Sequence, residues 1–303
     1  METGKIARDI GELDLAVART LAFFDIFDYP LDRLQLWRFL PLTCSLSQLD
    51  VSLGHWRQSG HLAEEEGHFF LSGRQGLVSE KKRRYDYAQR KLKRARRVAR
   101  LFRLFPGVRL VFLSNLIGQY NLRDGSDIDF FLVCRPGNVW LSRLWCAGLM
   151  KAMNLRPRQG DKRDKVCLSF YVSSRQENLY DLAQGEDDDY FHYWLLGLFL
   201  LAGEAKEYEG FLADNIWLRR RFPNYYSGIP ARQPLPKAAS AWVSFWEDRA
   251  RALQFRLMAE PLKHAALAKQ AIISDDVLKL FLHDKRSEFN NRGRQRAQEY
   301  FGL

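Results

Sequence analysis

Apolar residues recur every three or four positions from Leu13 to Phe24, at Leu15, Ala16, Ala18, Leu21 and Ala22, and predict a helix. Asp28-Tyr29-Pro30 stops it, because the residue before a proline is pushed out of the helical region. A second helix is predicted from Leu31 to Leu40, where Pro41 ends it. A third is predicted from Ser47 to Ser59, with Ser47 as N-cap and Asp50 three residues on. Gly60 supplies the left-handed turn after it. The runs His61-Leu62-Ala63 and His68-Phe69-Phe70-Leu71-Ser72 then read as two short strands around Glu64-Glu65-Glu66-Gly67.

The period changes again at Val78. Tyr85, Ala88, Leu92, Ala95, Val98 and Phe102 form one apolar stripe of a long helix, Val78 to Phe105, which Pro106-Gly107 ends. Val108 to Leu113 is a short β-type run, and Asp127 to Cys134 alternates acid and apolar residues before turning fully apolar. Val139 to Met153 has helical length, and Val166 to Val172 is a further strand. The order is strand, turn, strand, helix, strand. Beyond it the pattern predicts helices at Tyr190 to Ala202, Tyr208 to Arg221, Ala238 to Met258 and Asp275 to Tyr300. Four prolines and Gly228 between Pro223 and Pro236 mark a loop.

The fold class that follows is α+β in three parts. Residues 1–76, three short helices closed by a hairpin, form a winged-helix pattern. Residues 77–180 hold the long helix and a small mixed sheet. Residues 181–303 are expected to be helical and to lie over the open side of that sheet as a lid. A chain of 303 residues with 47% hydrophobic residues is long and apolar enough for two or three compact parts. Its longest apolar run, about ten residues near Tyr193 to Ala202, is roughly half a membrane span, so no membrane is expected. Cys44, Cys134, Cys146 and Cys167 show no paired spacing, which argues against a zinc site or a disulfide framework and suits a cytoplasmic protein.

Charge adds one feature. The net charge is +11, and twelve Lys and Arg lie between Lys81 and Arg103 against one acid, Asp86. That segment could track a nucleic acid or another polyanion; the alternative is a solvated helix packed by its apolar stripe. The third predicted helix, in the position that reads DNA in winged helices, carries only Arg57 as a basic residue and is a poor reader.

The chemistry centres on Asp127 and Asp129. On a strand, positions two apart share a face, with Ile128 turned into the core. Carboxylates held that close repel unless a cation lies between them or one is protonated, and Mg²⁺ prefers oxygen ligands. Gly125-Ser126 just before them offers a tight turn whose N–H groups could face a phosphate. The competing reading is a solvated strand edge.

The stretch from Val111 to Val133, with Ser114-Asn115-Leu116 after a hydrophobic strand and Gly125-Ser126-Asp127-Ile128-Asp129 before another, resembles the signature of the DNA polymerase beta-like nucleotidyltransferase superfamily. The wider layout also resembles a group of uncharacterised bacterial winged-helix nucleotidyltransferase proteins, in Phe24 to Leu31, Cys167 to Tyr171 and Val277 to Leu280. The resemblance implies that Asp127 and Asp129 bind Mg²⁺ ions holding a nucleoside triphosphate, with Ser114, Asn115, Gly125 and Ser126 near the phosphates. It implies transfer of a nucleoside monophosphate to a hydroxyl acceptor.

Two departures from that pattern matter. Asn115-Leu116 stands where the family has Gly-Ser, and Ser169 stands at the expected third-acid position on the strand Val166 to Val172. Serine is neither a general base nor a strong Mg²⁺ ligand, so activity should be weak or lost, with Asp161 and Asp164 upstream as the substitutes to consider. A degenerate module that binds nucleotide or nucleic acid without chemistry is the alternative, and a winged-helix transcription regulator a third. Glu186-Asp187-Asp188-Asp189 reads as acids complementing a helix dipole, and the aromatics from Tyr190 to Phe199 as core.

Overall fold

A computed structural model describes residues 11–115, 120–158, 160–226, 244–268 and 270–303. The chain opens with α1 (Glu12–Asp25), β1 (Leu31–Asp32), α2 (Arg33–Phe39), α3 (Leu46–Gln58), β2 (Leu62–Glu65) and β3 (His68–Leu71). Leu31 and Asp32, expected inside the second helix, instead form a strand that pairs with β3. Asp32 then caps α2 in a reciprocal box with Gln35. The cap of α3 is Ser45 with Gln48, not Ser47 with Asp50. Asp50 points outward and accepts from Arg33 at 2.6 Å. The three strands form an antiparallel sheet in the order β1-β3-β2, and Glu66 and Gly67 turn the hairpin at φ 51° and 73°.

The long helix is α4 (Leu77–Phe102), followed by β4 (Val108–Leu113), β5 (Ile128–Cys134), α5 (Val139–Ala152) and β6 (Val166–Ser173). The C-terminal part departs from the all-helical expectation. After α6 (Asp189–Leu196) comes a strand, β7 (Phe199–Ala202), where the helix was expected to continue. Gly197 ends α6, and the apolar run beyond it pairs with β4, giving that strand a second neighbour. Gly203 closes β7 at φ 152°, with its Cα so close to Leu110 that an added Cβ would lie 2.4 Å from that side chain.

Next come α7 (Ala205–Asp214), α8 (Leu218–Arg221), α9 (Ser244–Leu257), α10 (Glu260–Leu267), β8 (Ile272–Ile273), β9 (Val277–Lys279) and α11 (Arg286–Phe301). The expected helix from Tyr208 to Arg221 is broken at Asn215, whose side chain bonds the backbone of Phe211, Glu177 and Leu179. The expected helix from Asp275 begins only at Arg286, because Val277–Lys279 is drawn onto β6 as a strand. Of the predicted loop after Pro223, residues 227–236 lie outside the described residues, as do residues 238–243 of the predicted helix from Ala238 and Leu116.

The result is a mixed α+β chain around a six-stranded sheet in the order β7-β4-β5-β6-β9-β8. Only the β5–β6 pair is parallel, joined through α5. One sheet face carries Val111, Leu113, Ile128, Phe130, Leu132 and Val166 against α4, α5 and α9. The other carries Leu110, Phe112, Phe131, Phe170 and Val172 in a core shared with α1, α6, α7 and α11. No described helix is long and apolar enough to cross a membrane.

Candidate functional site

Asp127 immediately precedes β5, and Asp129 lies between Ile128 and Phe130, both of which face α4 and α5. The pleat therefore turns Asp129 to the opposite face. Across the parallel pair, Asp129 stands beside Cys167 of β6. One oxygen of Asp127, one of Asp129 and the Cys167 sulfur all lie within 4.8 Å of one another. Neither aspartate forms an ion pair among the described residues. Burial first, and the Asp127 charge second, push the Asp129 carboxyl up to about 7, against hydrogen bonds from Cys167 and Asn115 that pull it back. Burial and then the Asp129 charge push the Cys167 thiol up as well, so it is a neutral group at neutral pH.

The expected third-acid position, Ser169, is not the residue opposite Asp129. Ile128 pairs with Val166, so Cys167 stands there, the register shifting only beyond Asp129, and the Ser169 hydroxyl lies 3.6 Å from the Cys167 sulfur. Cys167 is the member of the cluster to which the sequence assigns no site role: it falls among four scattered cysteines and opens the Cys167 to Tyr171 block. The signal that could have found it is the start of the two strands: if Ile128 pairs with Val166, the next residues, Asp129 and Cys167, must be neighbours.

The residues around the cluster fall into two groups. Asn115 donates its side-chain amide to the Asp127 carbonyl at 3.0 Å, and the Ser114 N–H donates to the Asp129 carbonyl at 3.0 Å, so both brace the strand that carries the acids. The Asn115 Oδ1 atom is buried with no hydrogen-bond partner among the described residues. Ser126 is turned inward on its own loop: its N–H and hydroxyl both donate to the Arg123 carbonyl. Gly125 sits exposed on the same turn, with nothing within 4 Å of where a Cβ would lie.

That turn is held from below by the basic helix. Lys91 is fully buried and donates to the Asp124 carbonyl at 2.9 Å, the Ser126 carbonyl at 2.6 Å and Asp164 Oδ1 at 2.8 Å. Arg90 bonds Asp124 and Asp164, and Arg94 bonds the Asp164 carbonyl. Asp164 is thus bound to α4 and stands apart from the Asp127–Asp129–Cys167 cluster, while Asp161 pairs with Lys165. Neither is a member of the cluster among the described residues. Not every cation of α4 faces solvent: Lys91 and Arg84 are buried, and Arg84 reaches the Phe27 carbonyl, Asn121 and Asp28. Tyr85, expected in the apolar stripe, is exposed and rests on Tyr120.

On the face that Asp129 shares, α6 lies over Phe131 and Phe170 through Trp194, which stacks on Phe170 at 5.4 Å. Tyr190 is close enough to feel Asp129: burial first and that charge second raise its hydroxyl to about 12. Tyr190, Trp194 and Phe170 line a cavity of about 190 Å³, which Lys279 and Arg286 also border. A larger cavity of about 640 Å³, lined by Arg19, Arg221 and Asn290, holds none of the acids of the cluster. The acidic run at 186–189 serves α6: Asp188 caps it, accepting from Phe191 N–H, and binds Arg286 at 3.0 Å. Comparisons with protein-family models, with curated proteins and with solved structures gave no match.

Proposed function

We propose that this chain is a nucleotidyltransferase-like protein that binds a nucleoside triphosphate with Mg²⁺ at Asp127 and Asp129 and transfers the nucleotidyl group slowly to a hydroxyl acceptor. The observation that carries this reading is the convergence of two carboxylates, with no ion pair to a protein cation among the described residues, at the start of β5. Two carboxylate oxygens suit Mg²⁺, which needs few protein ligands when phosphate oxygens and water complete its shell. Mg²⁺ would supply charge neutralisation on the triphosphate. Asp127 and Asp129 would hold it, and Asn115, through its bond to the Asp127 carbonyl, would keep the two acids on one face. In this reading the exposed Gly125 backbone and Ser114, which follows β4 beside Asp129, would contact the phosphates. The 190 Å³ cavity beside Tyr190 and Trp194 gives a ring system room on the same face.

Cys167 sets the rate in this reading. A neutral thiol is a poor acceptor for the proton of an attacking hydroxyl and a poor Mg²⁺ ligand. Loss of a general base costs about a hundred- to ten-thousand-fold in rate. The same residue favours a second reading, a degenerate module that binds nucleotide without chemistry. Three helices followed by a hairpin, with β1 added to it, support a winged helix in residues 11–76, and cytoplasmic placement belongs to the same proposal. Calorimetry with Mg²⁺ and each nucleoside triphosphate, together with release of pyrophosphate in the presence of acceptor pools, tests the whole. Binding that Asp127→Ala and Asp129→Ala abolish, and turnover that Cys167→Asp raises at least tenfold, are the expected results. Binding without turnover in either protein leaves the degenerate module, and no binding of any triphosphate refutes both.

A further inference from the structure

The basic helix holds twelve cations between Lys81 and Arg103, and the structure sorts them. Lys81 bonds the Pro30 carbonyl and Gln35, and Lys82 pairs with Glu66. Arg83 and Arg84 pair with Glu80. Arg90, Lys91 and Arg94 hold the loops at Asp124 and Asp164. Arg103 bonds the carbonyls of Val108 and Arg109. Four remain: Lys93, Arg96, Arg97 and Arg100, all exposed and without an acidic partner among the described residues.

We infer that these four side chains form a docking strip for the phosphodiester backbone of a nucleic acid. They fall within two turns of one rigid helix, over about 10 Å of its axis. A single small anion cannot touch all four, whereas a polymer with one charge per about 1.7 Å of duplex can. The arginines add planar, two-pronged donors that suit phosphate oxygens. An anionic lipid surface fits less well, because a helix lying in a membrane presents apolar residues outward between its cations. Here Leu92, Ala95, Val98 and Ala99 are all buried against the sheet, and every exposed residue from 93 to 100 is Lys or Arg. Cations aligned on one helix face match phosphates and not base edges, so the contact is expected to read backbone and not sequence.

The test uses the full chain, without Mg²⁺ or nucleotide, and a fluorescein-labelled 20-base-pair DNA duplex followed by anisotropy from 50 to 200 mM salt. Four phosphate contacts predict a slope of log K against log salt of about −3.6, a loss of about a hundredfold over that range. The quadruple variant Lys93→Ala, Arg96→Ala, Arg97→Ala, Arg100→Ala should lose most of the affinity at 50 mM and flatten the slope. It should melt within a few degrees of the parent, since all four side chains are exposed. Arg94→Ala should keep the parent slope, because that guanidinium is occupied by the Asp164 carbonyl. Change of the duplex sequence should alter affinity little. Equal binding by parent and quadruple variant, absence of binding at 50 mM, or retention on phosphatidylserine vesicles without binding to the duplex would each overturn the assignment. Because no metal or triphosphate is present, these outcomes do not depend on the carboxylate site.

Discussion

Two acidic pairs lie a few residues apart at the same end of β5, and they are built in opposite ways. Asp124 and Asp164 are surrounded by cations: Arg90 bridges them, Lys91 reaches Asp164 from a fully buried position, and Arg163 adds to Asp124. Burial alone would raise the Asp164 carboxyl, but Lys91 and Arg90 outweigh it and hold it below the ordinary value. Asp127 and Asp129, three and five residues from Asp124, have none of this. Burial and the neighbouring charge push Asp129 up, and the cluster's third member is a thiol. The same chain therefore had cations within reach and placed them on the other face of the strand. A neutralised pair fixes loops. A pair left without a counter-charge is the one proposed above to take a cation from solution.

The largest effect should come from breaking the neutralised pair. Lys91→Ala would leave Asp164 without its closest cation and would strip a donor from the carbonyls of Asp124 and Ser126. Removing one partner of a buried pair typically costs about 3–5 kcal/mol. Chemical denaturation should show a loss in that range, and Lys91→Met, which keeps the buried stem, should recover little of it. A loss below about 1 kcal/mol would mean that the turn before Asp127 does not depend on α4.

Much of this comparison could be read from the residues, and the unread part has a common cause. Local period was enough for α1, α4, α5 and the strands β4, β5 and β6, because each buries a face set by its own sequence. Asp127 and Asp129 were legible for the same reason: spacing two apart on a strand is a local fact. Cys167 was not, since its place beside Asp129 depends on the pairing of Ile128 with Val166, which is a tertiary fact. Strands β7 and β9 lie where the sequence predicts helix, because their apolar residues fit either period, and pairing with β4 and β6 decides between them. Lys91 looked like any other cation of a charged run. Only the tertiary fold shows that it is buried while Lys93, two residues on, is exposed.

The second effect sharpens the other side of the comparison. If Asp127 and Asp129 wait for a cation, Mg²⁺ with a triphosphate should stabilise the chain by about 2.7 kcal/mol at a hundredfold excess over Kd. Asp127→Ala should remove that gain, read as a ligand-dependent rise in Tm. Asp164→Asn should retain it while lowering the baseline stability, because Asp164 belongs to the neutralised pair. Equal loss of the ligand response in both variants would erase the distinction.

The smallest effect is the pH dependence of the unliganded protein. The folded-state carboxyl of Asp129 is raised to about 7 from an ordinary value of 3.8. Below about pH 4 it is protonated in folded and unfolded chains alike and costs nothing. Between there and about pH 7 the unfolded chain releases the proton more readily, so this group makes stability fall as pH rises. Asp164 and Asp284 have the opposite sign: their folded values are lowered, that of Asp284 to about 2, so their stabilisation is present above 3.8 and fades as pH drops through the folded value. Asp129→Asn should therefore raise stability near pH 7 by about 1 kcal/mol, a partial realisation of the 1.36 kcal/mol carried by each pKa unit. The gain should shrink toward pH 4 and disappear below it. Adding Mg²⁺ with triphosphate to the parent should cancel the same slope, since a bound cation replaces the proton. If denaturation midpoints of parent and Asp129→Asn run parallel from pH 4 to 7, the Asp127–Asp129 pair is solvated like any exposed strand edge, and its contrast with Asp124 and Asp164 is one of position alone.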